Sequence, residues 1–251
     1  MKDEINTIAV AAGKKLLAMT DIEIGTKALG EIVTSADKEL NNYIIDQITK
    51  QFPDDDIISE EEAPIENKGA NVWYIDPIDG TTNFISGIPQ YCVSIGYEKD
   101  GNMVAGTVYD PVHDALMYAN EDGAFHGEKR MNVSSIDRVK DAFVFEGASR
   151  EQENRKTHHE ILHVMSGELH RWRNIGSAAL MMAYVARGSA DAALFTGAKT
   201  WDIAAGVALI RTSGGKVTNY KGKEWKPAHQ TMLASNGKIH DELLSYIQGA
   251  L

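Results

Sequence analysis

The chain has 251 residues, 43% hydrophobic and 24% charged, the composition of an ordinary globular protein rather than a disordered one. Its 25 Lys+Arg against 36 Asp+Glu leave a formal charge of −11, which excludes a duplex-nucleic-acid binder because phosphate contacts need a basic footprint. The longest apolar run, Ala178 to Ala186, is nine residues, far short of the ~20 that cross a bilayer, so no membrane partner is expected.

The start, Met1-Lys2-Asp3-Glu4, carries acids and lacks the apolar stretch of a signal peptide. A single cysteine, Cys92, permits no internal disulfide, and a cytoplasmic protein is expected. Ile5, Ile8, Ala9, Ala12 and Leu16 fall on one helical stripe, and Leu40, Tyr43, Ile44 and Ile48 on a second. Thr34-Ser35-Ala36-Asp37 before the second stripe has the form of a capping box. Asp56 to Ser59 and Asn71 to Ile75 read as short buried strands, each running into acidic residues. Two further strands, Tyr91 to Lys99 and Asn102 to Tyr109, flank Asp100-Gly101, a hairpin signal, and Asp122-Gly123 marks another turn. The second half predicts helices at about 152–166, 177–187, 203–213 and from 239, with strands at 190–195 and 231–235. Alternating elements without linker or repeat indicate a layered α/β or α+β protein. We expect one domain over 1–251, in two intimate halves of about 1–136 and 137–251.

The informative stretch is Trp73-Tyr74-Ile75-Asp76-Pro77-Ile78-Asp79-Gly80-Thr81-Thr82-Asn83-Phe84. A strand delivers Asp76, Pro77 fixes the turn, and Asp79 follows three residues on, so both carboxylates can converge where a hard divalent cation would sit. Gly80-Thr81-Thr82 would open a short helix whose free N–H groups favour an anion. Turn chemistry alone also explains an Asp-Pro-x-Asp-Gly string. Glu60, after the strand residues Ile57-Ile58, places another carboxylate at a strand end, whereas Glu62 reads as solvated. Asp202 precedes an apolar helix, where it could serve as N-cap, as metal ligand, or as both.

With Glu60-Glu61 upstream and Trp201-Asp202-Ile-Ala-Ala-Gly downstream, Asp76-Pro-Ile-Asp79-Gly-Thr-Thr-Asn-Phe resembles the inositol monophosphatase family of metal-dependent, lithium-sensitive phosphatases. The resemblance extends to Thr34-Ser-Ala-Asp37, Val93-Ser-Ile-Gly, Gly176-Ser-Ala-Ala and Gly214-Gly215, and so spans almost the whole chain. It implies an α/β (α+β) fold, the layered αβαβα sandwich of the inositol monophosphatase and fructose-1,6-bisphosphatase type. It further implies a homodimer that hydrolyses a small phosphorylated metabolite with two or three Mg²⁺ ions, through attack by metal-activated water. Carried over, Glu60, Asp76 and the Ile78 carbonyl would hold one metal, with the Thr81 hydroxyl nearby. Asp76, Asp79 and Asp202 would hold another. Asp37 would pair with Thr81 to orient the attacking water, with Glu60 as a further catalytic acid and Glu61 in support. Backbone N–H groups of Gly80, Thr81 and Thr82 would hold the phosphate, and Asp79, Gly176, Ser177, Ala178 and Phe195 would meet the leaving group. Two cations ~3.5–4 Å apart suit this chemistry, because a phosphate monoester dianion repels its nucleophile and leaves as a poor alkoxide.

Inositol-specific members carry a glutamate where Phe195 stands, and a phenylalanine cannot accept a hydroxyl hydrogen bond. Inositol monophosphate is therefore one expected substrate beside fructose 1,6-bisphosphate, NADP, 3′-phosphoadenosine 5′-phosphate and histidinol phosphate. Two readings of other kinds compete. His159-Glu160-Ile161-Leu162-His163 has the H-E-x-x-H spacing of zinc hydrolases. Its flanking Arg155, Lys156, Thr157 and His158 read as a solvated helix, and Ser166 replaces the glycine of the extended motif. A non-catalytic binding module is the other, weakened by the presence of all four acids.

Overall fold

The computed structural model describes residues 2–67, 69 and 71–251. Both N-terminal stripes form helices, α1 (Lys2–Leu17) and α2 (Ser35–Gln51), joined through a small antiparallel hairpin of β1 (Ile24–Thr26) and β2 (Ile32–Thr34). The expected capping box is present: the Thr34 side chain accepts from the Asp37 N–H, and the Asp37 carboxylate accepts from the Thr34 N–H at 2.7 Å.

Seven strands follow in chain order to make the first sheet: β3 (Asp56–Ser59), β4 (Asn71–Asp79), β5 (Cys92–Lys99), β6 (Asn102–Asp110), β7 (Ala115–Asn120), β8 (Gly123–His126) and β9 (Lys129–Arg130). Only β3 and β4 run parallel. Between β4 and β5 lies the one-turn helix α3 (Thr81–Ile85). The β5–β6 turn has Asp100 at φ 51° and Gly101 at φ 76°, the paired positive dihedrals that match the twist of a two-residue hairpin.

A second sheet holds β10 (Phe143–Ala148), β11 (Arg171–Arg173), β12 (Ala192–Thr196), β13 (Lys216–Thr218) and β14 (Thr231–Ser235) in the order β11-β10-β12-β14-β13. Its helices are α4 (Gln152–Met165), α5 (Ala178–Ala186), α6 (Thr200–Thr212) and α7 (His240–Ala250). Three buried clusters define the layers. Ile8, Leu40 and Ile44 of α1 and α2 pack on Trp73, Ile75 and Ile95 of the first sheet. Met182, Ile203 and Leu209 of α5 and α6 lie between the sheets, against Val108 on one side and Phe195 on the other. Ile161, Leu243 and Ile247 of α4 and α7 cover the far face of the second sheet at Val144 and Leu194. The alternation Ala193/Phe195 inward and Ala192/Leu194 outward lets one strand serve two cores. The order of layers is α-β-α-β-α, the α/β sandwich expected.

Three local expectations need correction. The strand from Asn71 does not stop at Ile75 but runs to Asp79, with a bulge between Asp76 and Asp79 opposite Ser94 and Cys92. Pro77 has no N–H to give the ladder, so the extra residue is absorbed there. The helix before Gly214 begins at Thr200, so Asp202 is its third residue rather than its cap, and reaches back to accept the Lys199 N–H at 3.2 Å. His158 is not solvated: it is 2% exposed and bonded to Glu146 and Thr196.

Candidate active site

The bulge in β4 turns Asp76 and Asp79 onto one pocket of ≈170 Å³, lined also by Glu60, Ile78, Thr81 and Asp202. Glu60 follows β3, whose parallel pairing with β4 sets Ser59 beside Ile75 and brings the glutamate next to Asp76. Asp202 arrives from the first turn of α6. Gly80, at φ 95°, makes the turn into α3, and a Cβ there would lie 2.8 Å from the Gln90 carbonyl oxygen.

Electrostatically the pocket is a set of like charges in low dielectric. Asp76 is 2% exposed, and burial together with Glu60, Asp79, Asp202 and Asp37 pushes its carboxyl well above the ordinary range. Asp202 is raised in the same way, first by burial and then by Asp79 and Glu60. Burial raises Asp79 to about 6, against the lowering effect of the hydrogen bonds it accepts from Ser177 Oγ (2.5 Å) and the N–H groups of Ala179 (2.7 Å) and Ala178 (3.2 Å) at the start of α5. Among the described residues no three acid, histidine or cysteine groups stand close enough to hold a metal ion as the side chains lie. The donor set is nonetheless all hard oxygen, carboxylates beside a backbone carbonyl, and buried acids with raised proton affinity are the chemistry a divalent cation satisfies.

Asp37 does not line the pocket but stands behind Thr81, whose hydroxyl lies 3.1 Å from Asp37 Oδ1 and 3.0 Å from the Ile78 carbonyl. Burial raises the Asp37 carboxyl, opposed by its bonds from Thr34 and Thr81. Thr82 is exposed on the first turn of α3, off the pocket wall.

A second pocket of ≈270 Å³ adjoins the first, sharing Asp79 and Asp202, and brings together Gly176, Ser177, Ala178 and Phe195. Phe195 is 3% exposed and its ring packs on Gly147, where a Cβ would lie 3.1 Å from Cδ1. It is both a core residue and part of this wall.

Sequence reasoning missed two cations. Lys27, just after β1, places its ammonium 3.1 Å from Glu60 and 2.5 Å from Glu61. Arg150, just after β10, lines both pockets and donates to the Gly30 carbonyl. A lysine just after a three-residue strand and an arginine in a Ser-Arg-Glu loop carry no local signal, because their partners are remote in the chain. The His159 and His163 side chains lie on the exposed face of α4, away from the acids.

Residues 3–250 match the model of the inositol monophosphatase family. A fructose-1,6-bisphosphatase/inositol-1-monophosphatase of Thermotoga maritima is 36% identical over 86% of this chain and 82% of its own length. A Nus factor SuhB of Pasteurella multocida is 33% identical over 92% and 88%. Among solved structures, the extragenic suppressor protein suhB of Bartonella henselae superposes with a TM-score of 0.93 at 30% identity, covering 100% of this chain and 99% of that one. The inositol monophosphatase of Anabaena (Nostoc) sp. PCC 7120 gives 0.88 at 33%, covering 98% and 94%. With a bulged Asp-Pro-Ile-Asp strand, its acid pocket and a match from end to end, the chain belongs to the inositol monophosphatase family.

Proposed function

We propose that this protein is a Mg²⁺-dependent phosphomonoesterase acting on a small phosphorylated metabolite, an inositol monophosphate or a related sugar phosphate. The reading rests on one observation, the convergence of Glu60, Asp76, Asp79 and Asp202 beside a Thr81 hydroxyl backed by Asp37. Glu60, Asp76 and the Ile78 carbonyl would hold one Mg²⁺, and Asp76, Asp79 and Asp202 another. When bound, Mg²⁺ supplies positive charge to the phosphate and lowers the pKa of water.

The protein's own groups do the rest. The Thr81 hydroxyl donates a hydrogen bond to Asp37, which leaves its oxygen free to accept one from an incoming water; a proton that the water gives to Thr81 is matched by passage of the Thr81 proton to Asp37. Two bonds from Thr34, at 2.7 Å from N–H and 2.6 Å from Oγ1, hold that carboxylate in place. N–H groups of Gly80 and Thr81 at the opening of α3 have no partner within the helix and would hold the phosphate oxygens. Ser177 and the first N–H groups of α5 fix Asp79 at the border between phosphate and leaving group.

Asp76→Asn tests the assignment. Phosphate release at saturating Mg²⁺ is expected to fall by more than the ~10–100-fold that losing a mere partner of a metal ligand costs, with the circular-dichroism spectrum unchanged. Near-normal turnover in this variant would overturn the reading.

A further inference from the structure

Ser94 is a polar residue at a place where the packing asks only for a small one. It lies in β5 directly opposite Asp76 of β4 and Val108 of β6, and residues opposed across an antiparallel pair stand on the same side of the sheet. That side is the one turned towards α6. Val108 and Cys92 belong to the core between the sheets, whereas Val93, Ile95 and Ile75 belong to the core under α1 and α2. Two residues along β5 from Ser94, a Cβ on Gly96 would lie 2.7 Å from Ala204 Cβ and 2.9 Å from the Ala205 nitrogen, so α6 seats directly on this strand. Two residues the other way, the Cys92 thiol lies 3.7 Å from Asp79 Oδ2, so the same face of β5 looks onto the acids.

Ser94 is completely buried, and among the described residues its hydroxyl has no hydrogen-bond partner. An alanine would fill the same space under α6 without that cost, because a buried polar group left unpaired destabilises the fold. Other acids of the pocket are held by groups outside it. Asp79 accepts from Ser177 and the first N–H groups of α5, Asp202 from the Lys199 N–H, and Glu60 faces the Lys27 ammonium. Asp76 accepts through Oδ1 from the Ile78 N–H at 3.0 Å, and the register sets the Ser94 hydroxyl beside it, since Cβ atoms of such a pair lie about 4.5–5.5 Å apart. A carboxylate oxygen has two lone-pair sites and can take a metal ion and a hydroxyl together.

We propose that Ser94 is a positioning residue for Asp76: its hydroxyl, unpaired in the metal-free protein, donates to the Asp76 carboxylate in the metal-bound state. Ser94 touches neither substrate nor metal and acts through the ligand that both cation sites share, the one whose orientation has least freedom. The assignment rests on the phosphomonoesterase reading above.

Ser94→Ala removes the hydroxyl and little else. Calorimetric titration with Mg²⁺, without substrate, should show binding weakened about tenfold or more, as loss of a metal ligand's outer partner does. Melting separates this role from a structural one. In EDTA Ser94→Ala should melt at the temperature of the parent or above it, because no bond is lost. At one fixed Mg²⁺ concentration, above Kd for both proteins, its gain should be smaller by roughly 3–5 °C, the equivalent of a tenfold change in Kd. A serine that only packed would lower the melting temperature equally with and without Mg²⁺ when replaced. Unchanged Mg²⁺ affinity, or equal losses of melting temperature in EDTA and in Mg²⁺, would overturn the positioning role while leaving the phosphatase in place. Should the unaltered protein bind no Mg²⁺, the phosphomonoesterase reading falls, and the role of Ser94 with it.

Discussion

His240 shows how a single residue can set a pH limit on the fold. Its ring is completely buried, with Nδ1 2.8 Å from Ser235 Oγ and Nε2 2.9 Å from Thr218 Oγ1, so a neutral imidazole is fully satisfied by two hydroxyls. Burial, with Lys216 adding repulsion, lowers its pKa from 6.5 to about 4. The unfolded chain binds this proton from pH 6.5 downwards and the native protein only near 4, so the native state loses stability across that window and is unaffected above it. At full extent this costs on the order of 3 kcal/mol. The melting temperature should therefore fall more steeply between pH 7 and 4.5 than in His240→Asn. Parallel slopes in the two proteins would mean that His240 protonates without unfolding. Nothing around position 240 in the sequence marks this histidine as buried, since Thr218 lies in another strand. Asp76 and Asp79 were legible because their spacing is itself the signal, whereas Lys27, Arg150 and His158 acquire meaning only from partners that the fold brings to them.

At the scale of elements, what the sequence discloses depends on whether the determinant is local. The capping box of α2 and the Asp100-Gly101 hairpin are local, and both stand where the residues place them. β10 is assigned nothing in advance, because Phe143-Val144-Phe145 is a short apolar run followed by Glu-Gly, and its strand character comes from parallel pairing with β12 and β11. β9 and β11 are two- and three-residue edge strands with exposed arginines, without any alternation to read. The seat of α6 on the first sheet is equally non-local. A Cβ on Gly106 of β6 would lie 2.6 Å from the Ala205 carbonyl oxygen and 2.8 Å from its Cα, so helix backbone touches strand backbone. Backbone cannot step aside as a side-chain tip can. Gly106→Val should cost about 1–3 kcal/mol or more, as overpacking does, and by tilting α6 it should also shift Asp202. Denaturant unfolding measures the first effect, and a raised Mg²⁺ requirement for phosphate release the second. A variant as stable as the parent would show that the contact relaxes at no cost.

The whole molecule carries a surplus of eleven negative charges and gathers five carboxylates, those of Glu31, Glu60, Asp76, Asp79 and Asp202, onto a pocket of ≈170 Å³ at the junction of both sheets with α6. Glu60 and Asp79 come from the first sheet's side and Asp202 from the helix layer between the sheets, so repulsion among them acts to part the layers. A divalent cation bound there would join those layers, and it would bind the native state far better than the unfolded chain, where the acids are dispersed. Binding at one hundred times Kd then contributes about 2.7 kcal/mol, and for a domain of this size each kcal/mol is worth about 2–4 °C. Mg²⁺ should raise the melting temperature by roughly 5–10 °C at such a concentration. NaCl at equal ionic strength should do much less, because screening weakens repulsion without bridging it. The two explanations separate in Asp202→Asn, which removes a repelling charge and a ligand together. Its metal-free melting temperature should rise above that of the parent, while its gain from Mg²⁺ should shrink. Equal gains from Mg²⁺ in both proteins would place the stabilising ion elsewhere, and equal gains from NaCl would reduce the effect to screening alone.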